Sequence, residues 1–194
     1  MLKQISFVFY VLLIGCYIRV NCEELKHLTN EVEVNVPANL TWELYRHLGI
    51  SKLAAQQLKH VIQRIQVLKG DGGVGTVQVL QVFLLSKFMH FNELDDGLYQ
   101  YGSGNSSYTE IFNVIDDQKR VKVAQTLEGG CLEIGCSIQL VRFDIIEKSP
   151  SKSIIKSDIS YAVKKEYQAK DPKPNIQCLE AVAQVAKYYL ERAN

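Results

Sequence analysis

The stretch YTEIFNVIDDQKRVKVAQTLEGGCLEIGCSIQLVRFD, Tyr108–Asp144, decides the fold. Its alternation of apolar and polar residues predicts three successive antiparallel strands. The polar run from Asp116 to Gln118 predicts a turn between the first two strands. Glu128-Gly129-Gly130 predicts a tight turn between the second and the third. These linked strands predict the centre of an antiparallel sheet.

Three reactive side chains fall on one face of these predicted strands. A three-residue loop pairs Ile115 with Lys119, and Glu110 and Lys122 then become diagonal neighbours about 7–8 Å apart. Tyr108 shares their face. A phenol, a carboxylate and an amine on one sheet face can polarise a carbonyl group and move a proton. The alternative is a solvated strand face with an ordinary cross-strand ion pair, and the pattern does not decide which face is buried.

Length and composition indicate a single globular domain. The chain has 194 residues, which is enough to bury a core. Its formal net charge of +1 and its 22% of charged residues exclude a disordered chain and a protein that binds nucleic acid by bulk charge. No clustered basic stretch or paired histidines support a nuclease, so we expect no nucleic-acid partner.

The N-terminus has the layout of a signal peptide. A single lysine, Lys3, precedes an apolar run from Ile5 to Ile18, and small and polar residues lead to Cys22. We expect cleavage after residue 22, entry into the secretory pathway (endoplasmic reticulum or vacuole) and a folded domain at 23–194. A retained anchor is the alternative, but the run is short for a membrane span. We therefore expect no stable membrane anchor after cleavage.

Cleavage leaves three cysteines, Cys131, Cys136 and Cys178. Cys131 and Cys136 stand five residues apart on one predicted strand, so their side chains should face opposite sides and not bridge. The odd count and the spacing argue against a disulfide framework and a zinc site. Asn39 and Asn105 begin glycosylation sequons, which matter only if the chain enters the secretory pathway.

The remaining chain supplies more strands and three helices. The predicted elements are a strand at Glu31–Val36, two short helices at about 39–48 and 51–59, strands at 61–68, 77–83 and 154–164, and a helix with an apolar stripe from Leu179 to Leu190. We predict an α+β fold in which a curved antiparallel sheet of about seven strands wraps around the long C-terminal helix. A cavity is expected between the sheet and the helix.

Two loops need separate interpretation. Gly70–Thr76, GDGGVGT, lacks the Lys-Ser/Thr pair and the following helix of a phosphate-binding Walker loop, and a hairpin connection is favoured. Residues 84–107 form a connection that is unusually long for a compact domain. This segment is either a lid over a pocket or sequence outside the ordered fold.

The element order and the motifs GDGGVGT, YTEIF, KRVKV, LEGG and IKSDISYAVKKEY carry a resemblance. Over about 31–83 and from 108 to the C-terminus, the chain resembles the birch-pollen-allergen-like family of pathogenesis-related plant proteins, and within it the norcoclaurine synthases. The resemblance implies a Pictet–Spengler condensation of dopamine with 4-hydroxyphenylacetaldehyde to (S)-norcoclaurine in benzylisoquinoline alkaloid biosynthesis. It implies no metal and no organic cofactor.

The resemblance also implies a role for each site residue. Lys122 polarises the aldehyde oxygen and assists dehydration, Glu110 takes the ring proton, and Tyr108 hydrogen-bonds and shapes the site. Synthases of this family carry an aspartate on the strand after the Gly-Gly turn, where this chain has Val141. Asp144 falls on the other face of that strand and does not replace it.

Val141 keeps a second function open. An apolar residue at this position favours a non-catalytic carrier that binds hydrophobic plant metabolites in the cavity. The joint presence of Tyr108, Glu110 and Lys122 favours an enzyme. The substrate, the stereochemistry and the choice between a monomer and a homodimer stay open.

Overall fold

A computed structural model describes residues 24–84 and 104–193. The predicted signal peptide at 1–22 lies outside the described residues. Within the described part of the chain, no helix is long and apolar enough to cross a membrane.

Most of the described elements are strands, with two short helices after the first strand and a long helix near the C-terminus. In chain order they are β1 (Lys26–Val34), α1 (Ala38–Tyr45), α2 (Gly49–Gln57), β2 (Ile62–Lys69), β3 (Val77–Leu84), β4 (Gly104–Asp116), β5 (Val121–Gly129), α3 (Cys131–Ile134), β6 (Cys136–Ser149), β7 (Lys152–Val163), a 3-10 helix (Lys165–Lys170) and α4 (Gln177–Ala193). The described strands form one seven-stranded sheet in the order β1-β7-β6-β5-β4-β3-β2, with antiparallel neighbours throughout. The α+β prediction is confirmed.

The core lies between the inner face of the sheet and the helices. α4 packs against β1, β7 and α2, and its inward residues include Ala183 and Ala186, both fully buried. Val34 and Ile155 bury their side chains from the sheet side. Each such aliphatic side chain contributes about 1.5–3 kcal/mol through removal from water. Small alanines on the helix let it approach the sheet closely.

The predicted pairing of β4 with β5 is wrong by three residues. Ile115 pairs with Lys122 rather than with Lys119. The carboxylate of Asp116 accepts two backbone amides of the turn, each at 3.0 Å, and the turn extends over 117–120. A β-bulge just after Phe112 compensates for the changed register, since one extra residue reverses which face the side chains take. Lys122 therefore still shares a face with Glu110.

The segment between β5 and β6 also differs from its prediction. The predicted tight turn at 128–130 and continuing strand are replaced by the short helix α3. Its turn brings the Cα atoms of Cys131 and Cys136 to 5.3 Å, and the two cysteines form a disulfide. The prediction that they do not bridge is wrong, because it assumed an extended backbone. Gly135, with φ of 120°, reverses the chain into β6.

The predicted long connection at 84–107 is shorter at both ends. Leu84 closes β3 and pairs with Gly104, where β4 begins. The connection therefore comprises residues 85–103. These lie outside the described residues, so the prediction of a lid falls there too.

The glycine-rich loop joins β2 to β3, as predicted. Its turn uses positive φ at Gly70, Gly72 and Gly75, and the Thr76 hydroxyl accepts the Gly72 amide at 2.9 Å. The end of the loop hydrogen-bonds to the backbone of Phe112 on β4. This contact fixes the register of β3 beside β4, where the site residues lie.

Candidate active site

Lys122 points from β5 into the interior, where only 2% of the residue is exposed. Its ammonium donates a hydrogen bond to the carbonyl oxygen of His47, at 2.6 Å, in the connection between α1 and α2. The same ammonium lies 3.7 Å from the centroid of the Phe112 ring. Burial lowers the pKa of Lys122 to about 8, while the charge of Glu110 acts to raise it. Lys122 can therefore exchange a proton near neutral pH.

Glu110 points inward from β4 and is 8% exposed. One carboxylate oxygen accepts a hydrogen bond from Gln78 Nε2 at 2.6 Å. Burial raises the pKa of Glu110 above its ordinary value, and the Gln78 hydrogen bond and the Lys122 charge oppose that rise. The alternative of a solvated strand face is wrong, because both the carboxylate and the ammonium are buried.

Tyr108 lies two residues before Glu110 on β4 and is half-buried. Burial raises the pKa of its phenol well above the usual value, and Glu110 and Cys178 raise it further. Cys178 belongs to the first turn of α4, so the helix reaches the same region. A neutral phenol beside the carboxylate is a hydrogen-bond donor. The structure therefore brings together the three side chains that the sequence singles out.

Val141 lies on the inner face of β6 and is 7% exposed. Its direct neighbours across the sheet are Ala124 on β5 and Ile159 on β7. Ala124 is two residues from Lys122, so Val141 shares the site face but gives it no charge. Asp144 instead binds Arg142, with contacts of 2.6 and 2.7 Å. Arg142 and Asp144 share the face of β6 opposite Val141, as the alternation of the strand predicts.

Gln78 is a site residue that the sequence reasoning missed. It stands directly opposite Glu110 across β3 and β4 and is 2% exposed. The signal was present, because Gln78 falls in phase with buried Leu80 and Val82 on β3. A glutamine at an inward position needs a polar partner inside the protein.

Thr126 is another buried polar residue that the sequence reasoning missed. It pairs with Glu110 from β5, and its hydroxyl has no hydrogen-bond partner among the described residues. A single polar face thus runs from Gln78 through Glu110 to Thr126. Across the described ranges, no group of three or more His, Cys, Asp or Glu side chains is placed to hold a metal ion.

The arrangement suits chemistry in which a carbonyl oxygen needs a positive hydrogen-bond donor and a carbon acid needs a base. Lys122 can supply such a donor and Glu110 such a base, and both side chains lie away from bulk water. Electrostatic effects on charged intermediates are stronger in such a desolvated site than in water.

The chain is similar in sequence to known plant synthases. The chain is 38% identical to norbelladine synthase from Narcissus pseudonarcissus over 143 residues, 73% of this chain and 77% of that protein. It is 33% identical to S-norcoclaurine synthase 1 from Papaver somniferum over 167 residues, 85% of this chain but 65% of that protein. No family model matches the chain.

A solved structure shares the fold. Norcoclaurine synthase from Thalictrum flavum, in complex with dopamine and hydroxybenzaldehyde, superposes with a TM-score of 0.67 at 24% identity, over 89% of this chain and 90% of that one. The fold and the sequence relatives lead to one assignment. The chain belongs to the family of enzymes that contains norcoclaurine synthase and norbelladine synthase.

Proposed function

We propose that the protein condenses dopamine with 4-hydroxyphenylacetaldehyde and closes the ring by a Pictet–Spengler reaction to give (S)-norcoclaurine. The observation that carries this proposal is the buried pair of Lys122 and Glu110 on one inner face. The names of the sequence relatives support the reaction class, and the ligands of the Thalictrum flavum structure support the substrate classes.

Lys122 serves the first half of this reaction. Its ammonium donates a hydrogen bond to the aldehyde oxygen while the amine nitrogen attacks the carbonyl carbon. The same group then gives its proton to the hydroxyl of the carbinolamine, which leaves as water and produces the iminium ion. A pKa of about 8 makes Lys122 a stronger acid than an exposed lysine, which favours this transfer.

Glu110 serves the second half. A ring carbon of the catechol attacks the iminium carbon, a C–C bond forms, and the electron pair of the C=N bond moves to nitrogen. Glu110 takes the proton from the attacked ring carbon, which restores aromaticity. Its raised pKa makes the carboxylate a better base. Lys122 then regains a proton from solvent, and Glu110 releases its proton to solvent. The neutral phenol of Tyr108 orients the substrate.

A non-catalytic carrier for hydrophobic plant metabolites is the second candidate function. Val141 favours it, because this apolar side chain lies in the core at the position where the family resemblance implies a carboxylate. A carrier needs an apolar cavity lining and transfers no proton, so Lys122 and Glu110 would then have no catalytic role.

We also propose that the leader directs the protein into the secretory pathway and is removed there. The charged start and the apolar run support this proposal. N-terminal sequencing of the protein from plant tissue should begin near Glu23, and an intact Met1 would overturn it.

The proposed reaction is tested by incubating the purified protein with dopamine and a set of aldehydes, followed by chiral separation of the products. We expect one enantiomer of a tetrahydroisoquinoline in excess. Racemic product at the rate of the uncatalysed reaction for every aldehyde contradicts the proposal.

A further inference from the structure

Gln78 makes two hydrogen bonds through one nitrogen. Its Nε2 atom donates to Glu110 at 2.6 Å and to the hydroxyl of Ser51, in the first turn of α2, at 3.2 Å. A primary amide has two N–H groups, so each partner can receive one. The amide thereby ties the carboxylate on β4 to a helix on the other side of the core.

The oxygen of the same amide has no such partner. Gln78 Oε1 is buried and accepts no hydrogen bond from the described residues. A buried carbonyl without a donor costs free energy, and such a group calls for a functional explanation. An acceptor held next to a group that gains a proton during the reaction provides one.

Other titratable groups surround Glu110 without replacing this contact. Lys122 faces it from β5 and Tyr108 lies beside it on β4. Cys178 on α4 raises the pKa of Tyr108. Among the contacts of the described residues, the hydrogen bond to the Glu110 carboxylate comes from Gln78.

We propose that Gln78 is the positioning residue for the base Glu110 and serves both of its protonation states by rotating its amide. While Glu110 is ionised, Nε2 donates to the carboxylate. After Glu110 takes a proton, the amide turns by half a rotation and Oε1 accepts the new O–H. The assignment of Glu110 as a base rests on the proposed function.

Ser51 suits this rotation. A hydroxyl can donate as well as accept, so Ser51 accepts from Nε2 in one state and donates to Oε1 in the other. Once the amide has turned, Oε1 receives hydrogen bonds from the carboxylic acid and from Ser51. The orphan oxygen of the ionised state is then satisfied, and the Nε2 amino group takes the former position of Oε1, where the described residues offer it no hydrogen-bond partner. The new hydrogen bond from the carboxylic acid must offset that cost.

The first test titrates the Glu110 carboxyl directly, by NMR of carbon-13-labelled glutamate assigned with Glu110→Gln. Gln78→Met keeps the side-chain length and removes the amide, and Gln78→Asn keeps an amide that is too short to reach. We expect both variants to titrate Glu110 at higher pH than the wild type, since the ionised form loses its donor. Gln81→Met, at an exposed position of the same strand, should leave the midpoint unchanged. An unchanged midpoint in both Gln78 variants overturns the proposal.

The second test follows the amide itself. The side-chain nitrogen-15 signals of Gln78 should shift in step with the titration of Glu110, because the donor becomes an acceptor. Signals that stay constant through that titration overturn the rotation.

The third test is the pH dependence of kcat/KM for the condensation. In Gln78→Met the acidic limb should move to higher pH, with a loss of about tenfold below the wild-type midpoint and full recovery only above the variant's own, higher midpoint. A loss that is equal at all pH values contradicts positioning through Glu110. If the NMR midpoint moves while the wild type condenses no amine and aldehyde, the proposed function fails and the contact of Gln78 with Glu110 stands.

Discussion

The buried ammonium of Lys122 couples the stability of the protein to pH. Its pKa is about 8 in the folded state against an ordinary 10.5, so the unfolded chain binds more protons between these values. The free energy of unfolding should rise by about 3 kcal/mol from pH 8 to pH 10.5 through this group. Below pH 8 both states are protonated and the full cost of burial remains.

Denaturant unfolding of the wild type and of Lys122→Met across this pH range measures the effect. The pH-dependent rise should disappear in Lys122→Met and persist in Lys119→Met, whose side chain is 78% exposed. Parallel curves for wild type and Lys122→Met would show that Lys122 titrates normally.

Glu110→Gln replaces one carboxylate oxygen by an amide nitrogen and so distinguishes a role in catalysis from a role in ligand binding. The substitution keeps the side-chain shape and an oxygen for the Gln78 contact, but it removes the basic carboxylate. We expect turnover to fall by roughly 10²–10⁴-fold while ligand binding persists. Steady-state rates and calorimetric binding on the same preparation check this, and an unchanged rate would remove Glu110 from the mechanism.

Val141→Asp introduces the carboxylate that the family resemblance implies at this position. Without ligand, a charge among Ala124 and Ile159 should lower the thermal midpoint. In a synthase the new carboxylate gives the amine an ionic partner worth about 1.5–3 kcal/mol, or roughly ten- to a hundredfold in affinity. Amine titration and thermal melting decide between the functions. Lower stability without tighter amine binding supports the carrier.

At the scale of elements, the disulfide secures the connection from β5 to β6. It closes a loop of five residue steps, from Cys131 to Cys136, beside the site. Loop-closure entropy predicts that reduction lowers the free energy of unfolding by about 2 kcal/mol. Unfolding with and without a reductant measures this, and Cys178→Ser serves as the control for the free thiol. Identical unfolding curves would mean that the bridge does not constrain the unfolded chain.

Strands and helices were predictable where hydrophobic period alone decides them. The alternation around Val32 and Val34 marked β1, and the stripe around Val182 and Ala186 marked the terminal helix. Turn geometry was not predictable, since the amide contacts of Asp116 set the β4–β5 register. Helix α3 was hidden because its four residues are too few to show a period.

At the scale of the whole molecule, the helices cover one face of the sheet, and that face becomes the interior of the protein. Sequence placed Tyr108 and Glu110 on a common face because residue spacing along a strand is regular. Lys122 joins them because the β-bulge after Phe112 offsets the error in the predicted register. It did not reveal that this face is buried, since burial depends on helices far along the chain. The carbonyl of His47 and the amide of Gln78 reach the charged pair only through tertiary packing.

The most direct test of the account is the condensation rate of Lys122→Ala, measured beside its affinity for an apolar ligand. We expect the rate of condensation of dopamine with 4-hydroxyphenylacetaldehyde to fall by at least about 10²-fold, because no ammonium group then donates a proton to the aldehyde oxygen. Apolar ligand affinity should remain, and Lys119→Ala should match the wild type in both measurements. A Lys122→Ala variant that condenses the substrates at the wild-type rate would contradict the catalytic role of the buried pair.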